Sequence, residues 1–263
     1  MSQILINNVQ KVLTTPGGPV VALKDIQLTI QPGEFVCLLG PSGCGKSTLL
    51  NAVAGFQPPS AGEITIEGKK ILSPGPDRGM VFQEYALFPW MTVAQNIAFG
   101  LEVQKKSRSD IAQTVNQLLD LLHLKDFRDR YPKDLSGGMR QRVAIARVLA
   151  LDSPIMLMDE PFGALDALTR RNLQDELLRI WEKLGKTILF VTHSIEESIY
   201  LADRIVVMTY RPGTVKRDQR VDMPRPRDPS SAAFNALKRE LGALVMEEQQ
   251  RHANAEMKLA TVD

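Results

Sequence analysis

A glycine-rich segment near the start of the chain has the residue types that bind phosphate. Residues 40–47 read Gly-Pro-Ser-Gly-Cys-Gly-Lys-Ser, which fits the pattern G-x-x-x-x-G-K-[ST]. Glycines let backbone N–H groups turn inward around phosphate oxygens, Lys46 supplies a positive charge, and the Ser47 hydroxyl is suited to Mg²⁺. A strand over Phe35–Leu39 and a helix over 47–54 are predicted on either side, which is the context that the pattern requires. The residues predicted to bind the phosphates of a nucleotide are Gly40, Pro41, Ser42, Gly43, Cys44, Gly45, Lys46, Ser47 and Thr48.

Two adjacent carboxylates follow a second apolar run. The run Ile155–Met158 predicts a buried strand, and Asp159 and Glu160 come directly after it. Ligands of α/β sheets bind at the carboxyl ends of strands, and Mg²⁺ takes carboxylate oxygens as ligands. We therefore predict that Asp159 holds Mg²⁺ through water, and that Glu160 orients and deprotonates an attacking water. The alternative is that both acids are solvated groups at the end of a strand.

A serine and two glycines open another predicted helix. The segment 135–139, Leu-Ser-Gly-Gly-Met, resembles the signature motif LSGGQ of the ABC ATPase family, with Met139 where the family usually has glutamine. The hydroxyl of Ser136 and the N–H groups of Gly137 and Gly138 would form an anion site at the helix N-terminus. The resemblance implies that this second site binds the γ-phosphate of ATP held by the opposite subunit.

Three single residues match further motifs of the family and follow the family's order. Gln83 matches the Q-loop glutamine, which the resemblance implies senses Mg²⁺ and the attacking water. Asp166 matches the D-loop, which crosses a dimer interface, and His193 matches the switch histidine, which contacts the γ-phosphate. The alternatives are a polar strand-end residue for Gln83, a helix N-cap for Asp166 and a structural role for His193. The cap and D-loop roles of Asp166 are compatible.

One position departs from the family in a way that bears on the base of the nucleotide. The family stacks adenine on an aromatic residue near the start of the chain, and the resemblance places Leu13 there. Leucine offers apolar contact but no aromatic face. We therefore expect weaker or less base-selective adenine binding than in relatives that carry an aromatic side chain.

The resemblance covers roughly residues 4–215 and implies a fold, a reaction and partners. The implied fold class is α/β: a P-loop NTPase (ABC ATPase) core with an N-terminal antiparallel β subdomain and an inserted helical subdomain. The implied chemistry is hydrolysis of ATP with Mg²⁺, in a head-to-tail dimer with a second copy or a related ATPase subunit. The implied partners are transmembrane permease subunits and, indirectly, a solute-binding protein. The implied location is peripheral, on the cytoplasmic face of the inner (plasma) membrane.

Several segments resemble one branch of the family, the importers of nitrate, sulfonates, taurine and similar small compounds. These segments are Leu-Phe-Pro-Trp at 87–90, Glu-Pro-Phe-Gly-Ala-Leu-Asp at 160–166, Arg-Pro-Gly at 211–213 and Asp-Met-Pro-Arg-Pro-Arg at 222–227. The resemblance places Phe88 and Trp90 near the groove that receives a permease helix. The alternative for both aromatic residues is core packing of the helical subdomain.

The elements that must position these residues show two kinds of apolar pattern. Alternating residues at 26–30 and 63–67 predict antiparallel strands near the N-terminus. Unbroken apolar runs at 35–39, 155–158, 188–191 and 205–208 predict parallel strands that are buried on both faces. Helical spacing predicts helices over 111–122 and 173–184, and an apolar seam from Phe234 to Leu244 predicts a tail helix that packs on its own domain.

These elements divide the chain into four predicted segments. Residues 1–88 form the β subdomain and the first part of the core, which carries the phosphate loop and the Q-loop. Residues 89–150 form the helical subdomain with the signature motif. Residues 151–215 form the second part of the core, and 216–263 form a proline-containing connector and a helix.

Composition excludes several classes of protein. The net charge of +2 gives no argument for binding nucleic acid, and we expect no nucleic-acid partner. The two cysteines, Cys37 and Cys44, lack metal-ligand spacing and suit a reducing compartment, with Cys37 a buried apolar residue. No apolar run reaches the roughly 20 residues that a membrane-spanning helix needs. The alternatives within nucleotide-binding proteins are a soluble ABC ATPase of DNA repair or translation, and a non-catalytic regulator. Glu160 and His193 argue against the regulator.

Overall fold

The computed structural model describes residues 3–260 and the side chains of residues 3–253. In chain order the elements are β1 (Ile4–Thr15), β2 (Gly18–Ile30), β3 (Phe35–Leu39), α1 (Lys46–Ala54), β4 (Ala61–Ile66), β5 (Lys69–Lys70), β6 (Arg78–Val81), α2 (Val93–Val103), α3 (Arg108–Leu121), α4 (Gly137–Ala150), β7 (Ile155–Asp159), α5 (Ala167–Leu184), β8 (Thr187–Thr192), α6 (Ile195–Leu201), β9 (Arg204–Met208), β10 (Val215–Arg220) and α7 (Ala232–Ala260). Short 3₁₀ turns lie at Lys125–Phe127 and Pro132–Asp134. The chain divides into two compact units, one formed by residues 1–75 with 187–263 and the other by 76–186.

The first unit contains an antiparallel sheet in the order β2-β1-β4-β5. Its inner face is formed by alternate residues: Ile4 lies opposite Ile30 on one side and Ile66 on the other, and both strand neighbours are buried. Because side chains alternate between the faces of a strand, this register places one apolar face inward and leaves the other to solvent. The predicted N-terminal antiparallel sheet is therefore present.

The same unit contains parallel strands around β3. Strand β3 pairs in parallel with β8 on one side and β9 on the other, and β10 extends the order as an antiparallel edge next to β9. Every residue of β3 and β8 is buried. A parallel sheet is covered on both of its faces, and for this reason its strands consist of unbroken apolar runs. The carboxyl ends of β3, β8 and β9 consequently lie side by side.

The second unit contains the parallel pair β6 and β7, with Arg78 opposite Ile155 and Val81 opposite Met158. Helix α4 packs on β6, and α2, α3 and α5 pack on α4. Helices α2, α3 and α4 fall within the segment predicted to be helical. Helix α2 begins with a capping box in which Thr92 and Gln95 satisfy each other's backbone N–H groups. It packs closely on the end of α4, because a Cβ atom at Gly100 would lie 2.4 Å from Leu151. The mixed parallel and antiparallel strands with surrounding helices confirm the predicted α/β class.

The long helix α7 packs on α6 of its own unit, as predicted from its apolar seam. Phe234 and Leu241 are fully buried, and Gly242 approaches Ile195 of α6. Among the described residues, no helix has the length and apolar character needed to cross a membrane.

Arg227 joins the connector before α7 to the end of α6. The side chain is buried and donates to the carbonyls of Ile199 and Ala202 at 2.6 Å, and to that of Met223 at 3.1 Å. Burial, with a further contribution from the charge of Arg225, lowers the pKa of Arg227 to about 10. The Asp-Met-Pro-Arg-Pro-Arg segment thus has a structural role that the sequence alone does not reveal.

We expect Arg227→Met to lower the free energy of unfolding by about 2–4 kcal/mol, because several buried carbonyls lose their donor while the bulk is largely retained. Urea unfolding measures this change. Arg239→Met, at an exposed position of α7, is the matched control and should change the free energy by under about 0.5 kcal/mol. Equal effects of the two substitutions would contradict the structural role.

Candidate nucleotide-binding and hydrolysis site

The phosphate loop connects the end of β3 to the start of α1. Gly45 has φ 94° and immediately precedes the helix, and no side chain caps the helix N-terminus. The helix dipole favours negative charge at this end of α1, so the start of the helix suits an anion. A positive φ of this size is accessible to glycine without strain. A Cβ atom at Gly45 would also lie 2.7 Å from Leu23, so the phosphate loop packs directly on β2 at this position.

Lys46 is buried within this loop. Its ammonium donates to the carbonyl of Gly40 at 2.8 Å and to that of Pro41 at 2.9 Å, and it lies 3.7 Å from the sulfur of Cys44. These partners are uncharged, so they orient the ammonium without neutralising it. The loop therefore presents a fixed positive charge together with backbone donors, which suits a polyphosphate.

The two cysteines do not add a nucleophile to this site. Burial raises the pKa of Cys44 despite the opposing effect of nearby Lys46, and burial raises the pKa of Cys37 as well. Both thiols are therefore protonated at neutral pH. Cys37 is fully buried in β3, which agrees with its prediction as a packing residue.

His193 and Leu13 also belong to the first unit. His193 is exposed and directly follows β8, next to Ser194, which caps α6. Leu13 lies on the β1–β2 hairpin opposite Val20 and is half-buried. Val12 and its partner Val21, on the opposite face of the hairpin, are 40% and 43% exposed. Leu13 thus offers an apolar side chain without an aromatic ring at the position predicted to meet the base.

Asp159 and Glu160 stand at the end of β7 in the second unit. The four preceding residues are buried, whereas both acids are half-buried. Glu160 has φ 42°, in the left-handed region that side chains other than glycine rarely adopt. The N–H of Gly163 donates to the Glu160 carbonyl at 3.1 Å and closes the turn that holds this conformation. Backbone strain of this kind is common at residues whose side chains are held in one orientation by a functional site.

The Q-loop segment is held by the signature helix α4 within the same unit. Gln83 is exposed, and the following residues Tyr85 and Ala86 have φ of 60° and 47°. Arg147 of α4 donates to the carbonyl of Ala86 at 2.6 Å and to that of Tyr85 at 3.3 Å. Burial lowers the pKa of Arg147. Sequence reasoning missed this contact, since nothing in the helical spacing of α4 distinguishes Arg147 from its other arginines.

The signature motif and the D-loop are packed together in this unit. Ser136 caps α4 by accepting the Met139 N–H at 3.3 Å. A Cβ atom at Gly138 would lie 2.6 Å from Thr169 at the start of α5, so only glycine fits without a shift. A Cβ atom at Gly137 would lie 3.3 Å from the side chain of Leu165, which is in the D-loop. The structure therefore brings two predicted motifs into one contact region.

Asp166 has the capping role that was the alternative to its D-loop role. Its carboxylate accepts the Thr169 N–H at 3.0 Å at the start of α5. The hydrogen bonds from Thr169 lower the pKa of Asp166. The capping bond leaves the exposed side of the carboxylate to solvent, so a second role is not obstructed.

A buried strand, a glycine-rich loop and a helix N-terminus in this order are the architecture of a P-loop nucleotide-binding protein. The family described as ABC transporter matches residues 23–163. The chain belongs to this family, and it is an ABC-type ATPase that couples ATP hydrolysis to transport. Its fold is that of the ABC ATPase cassettes.

The chain is similar in sequence to two ATP-binding subunits of importers. The nitrate import ATP-binding protein NrtD of Synechocystis sp. is 46% identical over 89% of this chain and 88% of its own length. The taurine import ATP-binding protein TauB of Roseobacter denitrificans is 48% identical over 84% of this chain and 83% of its own length. The predicted family and branch are therefore confirmed.

The dimeric structure of the bacterial ABC transporter cassette MJ0796 is 34% identical, with a TM-score of 0.75, and covers 84% of this chain and 100% of that chain. A dimeric post-hydrolysis state of the same cassette, bound to ADP and Pi, is 33% identical with a TM-score of 0.74 and the same coverage. These structures agree with the predicted α/β P-loop core.

Proposed function

We propose that the chain is the ATPase subunit of an importer for a small solute of the nitrate, sulfonate or taurine kind. The observation that carries this proposal is the similarity to NrtD over 88% of its length and to TauB over 83% of its length. The relatives named above give no support to a soluble ABC ATPase of DNA repair or translation. The solute itself would contact a binding protein and a permease rather than this chain.

The phosphate loop would bind ATP. Within residues 40–48, the backbone N–H groups of the residues other than Pro41 would donate to the phosphates. Lys46 would place its ammonium against the β- and γ-phosphates. The hydroxyl of Ser47, the carboxylate of Asp159 and the amide oxygen of Gln83 are oxygen donors of the kind that Mg²⁺ takes, and the family resemblance assigns the metal to these three residues. When bound, Mg²⁺ would neutralise charge that develops on the phosphates.

Hydrolysis would proceed by attack of water on the γ-phosphorus, breaking the bond to the β–γ bridging oxygen and forming ADP and inorganic phosphate. Glu160 accepts the water's proton, and its constrained turn aims the carboxylate. His193 contacts the γ-phosphate, and Gln83 orients the attacking water. These roles follow from residue type and from the family resemblance.

The active form would be a head-to-tail dimer. Ser136, Gly137 and Gly138 of one subunit would bind the γ-phosphate of ATP held by the other, and Asp166 would lie at the interface between them. Exposed Leu168, directly after the D-loop, is 73% accessible and adds apolar area to this face. ATP would close the dimer and hydrolysis would open it, because ATP favours the closed state by its contacts to both subunits.

The permease would dock on the second unit near Phe88 and Trp90. Trp90 is 69% exposed, whereas Phe88 packs on Phe99 with ring centroids 4.6 Å apart. Buried Asn96 bonds both the N–H and the C=O of Phe88, which fixes the segment. Phe88 thus supports an exposed aromatic side chain that is available to a partner. Docking there would hold the chain at the cytoplasmic face of the membrane.

We expect Leu13→Tyr to tighten ATP binding about fivefold and to raise the preference for ATP over GTP, because base stacking on an aromatic ring contributes about 1–3 kcal/mol. Titration calorimetry with both nucleotides measures the change. Val12→Tyr is the matched control, since adjacent strand residues face opposite ways. Unchanged affinity and base preference in Leu13→Tyr would contradict the assignment of the base position.

Copurification tests the transport role. The tagged chain is isolated from its native membranes with mild detergent, and mass spectrometry identifies its partners. We expect an integral membrane permease, and the ATPase activity of the complex should respond to the cognate binding protein. Isolation with ribosomes or DNA-repair proteins, without a membrane partner, would overturn the importer proposal and leave the ATPase assignment standing.

A further inference from the structure

The Arg-Pro-Gly segment lies on a loop beside the phosphate loop. Strand β9 pairs in parallel with β3, with Val207 opposite Leu39, so the chain leaves both strands at the same edge of the sheet. The phosphate loop follows β3, and the loop 209–214 follows β9. The two loops are therefore neighbours because of the sheet register.

Loop 209–214 touches the outer side of the phosphate loop at two points. A Cβ atom at Gly213 would lie 2.2 Å from the carbonyl oxygen of Cys44, so the backbones are in close contact and no side chain fits between them. The Arg211 guanidinium donates to the Gly43 carbonyl at 3.4 Å. Inward-facing N–H groups require outward-facing carbonyls, and loop 209–214 engages those carbonyls.

The loop is itself rigidly bonded. The Thr209 hydroxyl donates to the Pro212 carbonyl at 2.8 Å and accepts the Thr214 N–H at 2.9 Å. Gly213 is tied to β2, since its N–H donates to Ala22 and its carbonyl accepts from Lys24. A displacement of one end of the loop is therefore transmitted to its contact with the phosphate loop.

The other side of the loop is held by α7 through one buried carboxylate. Glu248 is 0% exposed. It accepts the Tyr210 N–H at 2.8 Å and forms ion pairs with Lys216 at 2.6 Å and Arg251 at 3.2 Å. The Tyr210 ring also lies 4.3 Å from the ring of His252 on the same helix.

Glu248 is a buried acidic side chain on α7 with partners on the loop 209–214 side. A buried charge is stable only when it is paired and hydrogen-bonded, and its removal leaves its partners unsatisfied. Lys216 would lose a buried counterion, and the Tyr210 N–H would lose its acceptor. Tyr210 is part of loop 209–214 and Lys216 lies just after it in β10, so removal of the carboxylate would loosen the attachment of this loop to α7.

We propose that Glu248 is a positioning residue of the ATPase. It anchors loop 209–214 to α7, and the loop supports the outer carbonyls of the phosphate loop, so that the inner N–H groups are pre-organised for the nucleotide. Arg211 and Gly213 make the contacts that transmit this support. The inference rests on the proposed binding of ATP by residues 40–48, and it gives the C-terminal helix a role in nucleotide affinity.

The test compares nucleotide affinity and turnover in Glu248→Ala. We expect the Kd for MgATP to rise about tenfold while kcat at saturating ATP changes by less than about twofold, since the anchor acts on the binding geometry and not on the attacking water. Glu247→Gln is the matched control, because Glu247 also pairs with Lys216 and Arg251 but is exposed and does not bond the loop. It should bind ATP as the wild type does.

A double-mutant cycle with Gly213→Ala separates positioning from a general loss of stability. The Gly213→Ala substitution pushes the same loop from the phosphate-loop side, so its effect on Kd should be less than additive with that of Glu248→Ala. Additive effects, or a wild-type Kd in folded Glu248→Ala, would overturn the proposal. If Glu248→Ala does not fold, Gly213→Ala alone decides: a raised Kd supports the role of the loop, and an unchanged Kd overturns it. If wild type itself does not bind ATP, the proposed function fails instead.

Discussion

Glu160→Gln lowers the turnover of ATP by about a thousandfold, because the amide cannot accept the proton of the attacking water. The substitution keeps the volume of the side chain and the turn closed by Gly163, so ATP binding is retained. The expected result is therefore loss of kcat with little change in the Kd for ATP. Phosphate release under saturating MgATP, together with calorimetry, measures both quantities.

Glu182→Gln is the control for this experiment, since Glu182 is an exposed acid on α5. It should hydrolyse ATP at the wild-type rate. Turnover of Glu160→Gln within about tenfold of wild type would show that another group accepts the proton. Loss of ATP binding instead of turnover would show that Glu160 has a structural or binding role.

Lys46→Ala is expected to weaken ATP binding by about a hundredfold, since a desolvated ammonium paired with phosphate contributes about 2–4 kcal/mol. The expectation follows from the burial of Lys46 and from its uncharged partners, which leave its positive charge available. Calorimetric titration with MgATP measures the loss. Lys69→Ala, on the exposed strand β5, is the control and should bind ATP normally.

The Lys46→Ala variant also loses the donor to the carbonyls of Gly40 and Pro41. Thermal unfolding therefore accompanies the titration, and a variant that unfolds near the wild-type temperature reports on binding alone. Wild-type affinity for ATP in a folded Lys46→Ala protein would contradict the proposal that the phosphate loop binds ATP.

The strands that sequence reasoning finds are those with unbroken apolar runs. Phe35–Leu39 is the whole of β3, and Ile188–Val191 falls one residue short of β8 at each end. These strands are buried on both faces of a parallel sheet, so polar residues do not interrupt their apolar runs. The alternating residues of β2 and β4 are recovered for the related reason that one face of each strand is buried.

Other elements carry no such pattern. Strand β10 reads Val-Lys-Arg-Asp-Gln-Arg and has no buried residue, so its pairing with β9 is what makes it a strand. Strand β6 has four residues and helix α6 has seven, which is too short for periodicity to be visible. Tertiary pairing, rather than local propensity, determines these elements.

In the site, too, features set by neighbouring residues are predictable, whereas contacts between residues far apart in the chain are not. Spacing is enough to predict the phosphate loop, the serine at 136 that opens a helix and the acids after β7, because each acts within a few residues of its own strand or helix. The contacts of Glu248 with Tyr210 and of Arg147 with Ala86 join residues far apart in the chain. The positive φ of Glu160 likewise depends on the packing of its turn. Single-sequence reasoning cannot reach such features.

Two copies of the chain are expected to close on ATP, because the phosphate loop of one and the signature motif of the other would share the nucleotide. Light scattering of Glu160→Gln, titrated with MgATP, measures the mass of the particle directly. We expect a change from monomer to dimer as ATP saturates the phosphate loop, and the same titration with Lys46→Ala added to this variant should leave a monomer. A Glu160→Gln protein that binds ATP but remains monomeric at saturation, with its permease present as well as alone, would contradict the two-subunit site.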